Sequence, residues 1–360
     1  MFRNLMLRNL LLRDLAFLAC AFALLLPAAG FGQDSQDVQS GQGVHSVPSF
    51  IENLSDHRFD DSDEDWTSPA LNTSHLKPAQ PLIAYVNKDN PEYSVSLIQL
   101  QWRRGDPIDL YVMKPTGVKK PPVILYIYGY PSDTDIFKDP EWQKFTTERG
   151  FASVGFVTAL TGHRYHDVPF KKWFLSELQQ CLGESTHDVQ MVLDYLASRG
   201  DLDMDRVGVF GQFSGSSIAI LASAVDSRIK VVDTIDPWGD WPTWMQKSAF
   251  PPPEERANYV KTEFLNKVAP LETVDWLPKV QAKKFRLQQR HYDQQTPIES
   301  KKKMQAAVPA GATVAFYTNT NEFDKEIGQQ EEKSLDWIKA ELRSLPETAS
   351  ESAVAVKKSN

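Results

Sequence analysis

From about residue 90 onward the chain switches between two hydrophobic periods. In SVSLIQLQW and PIDLYVMKP apolar and polar residues alternate on either side of the turn RRGD. That period belongs to a half-buried strand, and a glycine-containing loop between two such runs predicts a β-hairpin. PPVILYIYGYP is instead almost continuously apolar and ends in a glycine turn, as in a strand covered on both faces. FASVGFVTA, RVGVFGQ, KVVDTIDPWG, KKFRLQQRHYD and ATVAFYTN predict further strands. Between them lie helical stretches: SELQQCLGESTHDVQMVLDYLASRG, with Val189, Val192, Leu193 and Leu196 on one face, then SGSSIAILASAV, TPIESKKKMQAAV and QQEEKSLDWIKAELRSL. Residues 241–280 carry Pro and Trp and are helical in parts, which suits an inserted cap. An antiparallel start followed by repeated strand–helix units predicts an α/β fold: a mostly parallel central sheet flanked by helices, with an antiparallel N-terminal hairpin and a small helical cap.

The flanks read differently. Residues 1–32 place Arg3, Arg8 and Arg13 ahead of the apolar run LAFLACAFALLLPAA, the layout of an export signal, and the run is too short for a stable membrane span. Its removal would take the net charge from −8 to −10 and leave Cys181 without a partner, so no internal disulfide is expected. Residues 33–85, rich in Ser, Asp, Gln and Asn and including FDDSDEDW, read as a polar, loosely ordered lead-in. The domain is expected over 86–345, followed by a disordered tail over 346–360.

The 360 residues suffice for one such domain, and 41% hydrophobic residues supply a sizeable core. The acidic balance and the absence of a long basic block exclude nucleic acid as an expected partner. No cofactor or metal is expected: H-x-x-H at His163 and His166, even with Asp167 beside it, lacks a further ligand cluster.

DVQMVLDYLASRGDLDMDRVGVFGQFSG, residues 188–215, resembles the α/β-hydrolase superfamily, most closely its secreted esterases and prolyl-oligopeptidase-like peptidases. The resemblance spans about residues 95–345. It implies a strained strand-to-helix turn whose tip carries the nucleophile, with small residues two before and two after. Gly211 and Gly215 have that spacing, and they centre the turn on Phe213. The resemblance also implies an acid four residues before a proline, matched by Asp293 and Pro297, and a histidine after the last strand, where the matching position is Asn321 or, less well, Asn319. No histidine follows His291, and an amide cannot take the proton that an imidazole with a pKa of about 6.5 accepts.

The main-chain amides of Tyr130 and Ser214 match the oxyanion hole. Tyr128, His163, His166, Trp238, Trp241 and Trp244 are candidate pocket residues, and the three tryptophans, spaced by three, would share one face of a helical turn. His163 and His166 are as readily loop-packing residues, His187 should stand far from this edge, and Asp236 could serve as an alternative acid. The expectation is an exported pseudoenzyme that binds a partner or a small ester, acyl or sugar-like ligand. The alternative is an active serine esterase or peptidase using Ser214 with a non-standard base.

Overall fold

Leu82–Asn87 (β1), Tyr93–Leu100 (β2), Ile108–Pro115 (β3), Pro122–Ile127 (β4), Ala152–Gly155 (β5), Asp203–Gln212 (β6), Ile229–Ile235 (β7), Lys284–Arg290 (β8) and Thr313–Tyr317 (β9) form one sheet. Their order is β1-β2-β3-β5-β4-β6-β7-β8-β9. The computed structural model describes residues 64–73, 82–87, 90–102, 106–130, 135–161, 174–328 and 331–345, all within the larger of two units, residues 49–360. The expected export signal, the tail, His163 and His166 lie outside the described residues. β1, β2 and β3 pair antiparallel, as does β3 with β5, and every pairing from β5 through β9 is parallel.

β4 shows why its sequence is apolar throughout. Side chains alternate between faces along a strand, and both faces are covered. Val123, Leu125 and Ile127 enter the cluster holding Leu178–Arg199 (α2) and Ser214–Val225 (α3), while Ile124 and Tyr126 enter the one holding Pro140–Thr147 (α1) and Glu332–Ser344 (α7). Each fully buried aliphatic side chain of this kind contributes about 1.5–3 kcal/mol. The remaining helices used below are Trp241–Lys247 (α4), Ile298–Ala307 (α5) and Thr320–Ile327 (α6). Between α4 and β8 run short helical turns, the helical cap the sequence predicts.

Three departures from expectation have physical causes. β1 begins at Leu82, so the expected boundary at 86 cuts a strand. Upstream, Glu64–Thr73 is anchored to α2: the Trp66 ring packs against Trp102 and His187, with centroids 5.9 and 6.3 Å away, and His187 Nε2 lies 2.9 Å from the Ser68 carbonyl. The acidic run around Trp66 masks that anchor in the sequence. A Cβ on Gly183 would come within 2.8 Å of the Trp66 carbonyl, and the first half of α2 is consequently buried on all sides instead of along one stripe. Finally, the loop expected after β9 is mostly helix α6. Asn319 caps it by accepting the Glu322 N–H at 3.0 Å, and Glu322 reaches back to the N–H of Thr318, one residue before the cap, a variant of the capping box.

Candidate functional site

Strands β4, β6, β7 and β8 end together at the C-terminal edge of the sheet, the edge at which parallel α/β sheets place their ligands. β6 turns into α3 through Phe213, whose backbone sits at φ 49, ψ −119. A non-glycine residue there is strained, and close packing enforces it. A Cβ on Gly215 would fall 2.0 Å from the Ile127 carbonyl oxygen, and one on Gly211 2.8 Å from Ser216 Cα. Two hydroxyls then tie α3 to the exit of β7. Ser216 bonds both the carbonyl and the N–H of Ile235, and Ser217 does the same with Trp238.

Facing Phe213 is a group that sequence reasoning passed over. The Arg290 guanidinium lies 5.1 Å from the Phe213 ring centroid, 4.9 Å from that of Phe323 and 5.7 Å from that of Tyr292. Its main-chain N–H donates to Asp236 Oδ1 at 2.8 Å, and its Nε donates to Asp236 Oδ2. Asp236 is fully buried and also has positive φ, at 46°. Burial pushes its carboxyl up to about 6 against the pull of Arg290. The available sequence signal was a charged pair at the ends of adjacent strands, Asp236 in TIDPWG and Arg290 in LQQRHYD.

The other expected residues take varied places. Asp293 accepts from the N–H groups of Gln295 and Thr296 at 3.1 and 3.0 Å and sits 3.5 Å from the buried Lys301 ammonium, so it organises its own loop. Lys301 also donates to the carbonyls of Arg290 and Asp293. Asn321 is exposed in the first turn of α6, and Asn319 is occupied as its cap. Ser214 is fully buried, and its hydroxyl accepts the Tyr130 N–H at 3.0 Å. The Tyr130 amide expected to face an oxyanion is therefore already engaged.

Tyr128 does not line the edge. It points to the opposite face of the sheet and packs on Tyr126, Phe137 and Phe210, because its place in β4's alternation matches that of Tyr126. The expected aromatic pocket face is likewise absent as such: Trp238, Trp241 and Trp244 are essentially fully buried. They pack on one another and, through Trp238 and Trp244, on Phe250, gluing the cap to the sheet. Only Trp241 and Trp244 belong to α4; Trp238 precedes it. Of the described histidines, His187 is buried in α2, and His291 is exposed with its ring against Phe316. No cluster of three or more potential metal ligands occurs among the described residues.

Gln212, the residue before the strained turn, donates to Glu331 Oε1 at 2.6 Å. Glu331 precedes α7 with φ 58, and burial pushes its carboxyl up to about 7. The folded state thus holds this proton more tightly than the unfolded chain, whose value is 4.5. Its stabilisation is complete below the unfolded value and is lost as pH rises through the folded one. Stability measured by denaturant titration is expected to fall between pH 5 and pH 7.5, and Glu331→Gln to reduce that slope. Asp236, raised in the same direction, retains part of it. An unchanged slope in Glu331→Gln would contradict this assignment.

No family model matches the chain, and no curated protein matches it. Solved structures do. An acetyl xylan esterase from Paenibacillus sp. R4 is similar with a TM-score of 0.60 at 18% identity, over 73% of this chain and 89% of that one. Acetyl xylan esterase 1 from Thermoanaerobacterium sp. JW/SL YS485 gives 0.62 at 15% identity, over 79% and 95%. This chain has the α/β-hydrolase fold. Pyrococcus horikoshii acylaminoacyl peptidase, at 0.51 and 13% identity, matches 76% of this chain but only 52% of its own length. The turn from β6 into α3 carries Phe213 at its tip.

Proposed function

We propose that this is an exported α/β-hydrolase-fold protein that does not perform serine hydrolysis and instead binds a ligand or partner at the C-terminal edge of its sheet. The observation that carries the reading is Phe213 at φ 49, ψ −119 between Gly211 and Gly215. A nucleophile must stand at that tip to reach a carbonyl, and a phenyl ring has no lone pair or labile proton to offer. Asn321 at the position matching the histidine supports the same conclusion, as an amide is no general base near neutrality. Asp293 persists, but in a loop-organising role. The esterase neighbours support a small molecule as the ligand class.

Ser214 is the residue through which this reading can fail. Its hydroxyl is buried and accepts a main-chain N–H, so it is not oriented for attack. Purified protein treated with a fluorophosphonate is expected to show no adduct by intact-mass spectrometry and no turnover of p-nitrophenyl acetate above background. A stoichiometric adduct on Ser214, abolished by Ser214→Ala, would restore the serine esterase or peptidase.

A further inference from the structure

We propose that Arg290 and Tyr292 form the recognition site for a small organic carboxylate with a flat apolar body. The inference rests on the reading that the tip of the turn from β6 into α3 carries a ring and not a nucleophile, and it names the ligand that such a tip can hold.

The guanidinium is fixed before any ligand arrives. Asp236 holds it at the Nε edge and through the main chain of the same residue, and the rings of Phe213, Tyr292 and Phe323 surround it. The Arg290 side chain retains 19% exposure. Neither of its terminal nitrogens donates to a carboxylate or carbonyl among the described residues, the Tyr292 hydroxyl being the polar side-chain group beside them, whereas Arg286, four residues earlier on β8, uses Nη2 on Asp233 and Ser334. The buried Tyr292 hydroxyl makes no hydrogen bond of good geometry among the described residues, with Thr320 and Arg290 as its nearest polar side chains. Two kinds of donor therefore stand side by side, and no carboxylate or carbonyl among the described residues meets the outer edge of the guanidinium.

Charge and shape narrow the occupant. A carboxylate presents acceptors only, and its two oxygens match the paired N–H groups of an arginine edge. An ester or a sugar hydroxyl carries no charge of its own and makes a weaker bond there. Among the described residues the other ionic groups facing Arg290 are Asp236, which neutralises it from the Nε side, and Asp293, whose oxygens are occupied by the N–H groups of Gln295 and Thr296 with Lys301 beside them. Beside the donors, Phe213 is only partly buried. The loop after β4 brings Tyr130 next to it, and Tyr130 meets Phe250 edge-on at 5.5 Å. These rings offer a flat ligand a face adjoining the cation. Because the guanidinium is already oriented, binding forfeits little side-chain freedom.

Benzoate is the probe, benzamide its neutral counterpart and inorganic phosphate the anion without an apolar body. Isothermal titration of the full protein is expected to give saturable one-to-one benzoate binding, with benzamide and phosphate each at least about tenfold weaker. The double variant Asp236→Asn/Arg290→Gln removes both charges together, leaving neither buried alone. It is expected to lose benzoate binding with an unchanged circular dichroism spectrum. Tyr292→Phe, which removes only the hydroxyl, is expected to weaken benzoate at least about threefold, and it decides the matter if the double variant does not fold. Equal affinity for benzamide or phosphate, undiminished benzoate binding by Tyr292→Phe, or no benzoate binding at all overturns the proposal. A fluorophosphonate adduct on Ser214 would instead sink the reading of the turn after β6. No adduct together with no benzoate binding sinks the carboxylate site alone.

Discussion

Gly215→Ala is expected to destabilise the fold by about 3 kcal/mol or more, enough to deplete the soluble protein. The added methyl would lie 2.0 Å from the Ile127 carbonyl oxygen and 2.7 Å from its carbon. Both belong to the backbone of β4, which is paired on both sides, by β5 and by β6, so neither can yield as the end of a side chain would. Relief would have to come from moving α3, whose first turn is bonded to Ile235 and Trp238. Gly117→Ala provides the comparison. Gly117 has φ +81 with nothing within 4 Å of an added Cβ, so only backbone strain of about 1–2 kcal/mol applies. Denaturant unfolding of the two variants beside the parent reads the difference, and equal losses would refute the close packing at the turn from β6 into α3.

Asp233→Ala is expected to cost about 3–5 kcal/mol, the magnitude for removing one partner of a buried ion pair. Asp233, on β7, is fully buried and accepts from Arg286 Nε at 2.8 Å, Arg286 Nη2 at 2.6 Å and Gln288 Nε2 at 2.9 Å. Gln288 in turn accepts the Tyr317 hydroxyl at 2.6 Å, so one carboxylate joins β7, β8 and β9. Without it the Arg286 guanidinium, 13% exposed and lying over the Trp337 ring, remains charged and poorly solvated. Asp233→Ala/Arg286→Met removes both charges and is expected to recover a large part of the loss. Chemical denaturation of the two variants tests this directly, and a double variant no more stable than the single one would contradict it.

Much of this molecule is legible in a single reading of its sequence. The alternation in SVSLIQLQW and the unbroken apolar run of PPVILYI place the hairpin and the central strand, because period and burial on one or two faces are properties of the residues themselves. The turn after β6 is legible by resemblance: Gly211 and Gly215 match the small residues that flank the tip of the hydrolase turn, and that match marks Phe213. Helix α6 is also legible, since N-T-N-E after β9 carries a capping signal.

The acidic run before Trp66 conveys solvation, although the tryptophan at its end anchors the segment to α2. The tryptophans at 238, 241 and 244 suit a ligand face by spacing, and only packing shows them used up between cap and sheet.

The sequence alone pointed to a layered α/β sheet through its local periodicity, and its resemblance to the α/β-hydrolases pointed to Phe213 at the turn between β6 and α3. Tertiary structure decided which polar groups meet at that turn. Asp236 and Arg290 are 54 residues apart in the chain, and only the pairing of β7 with β8 brings them side by side beneath the Phe213 ring. Ion pairing and ring contact depend on distances in space, which no period along the chain encodes.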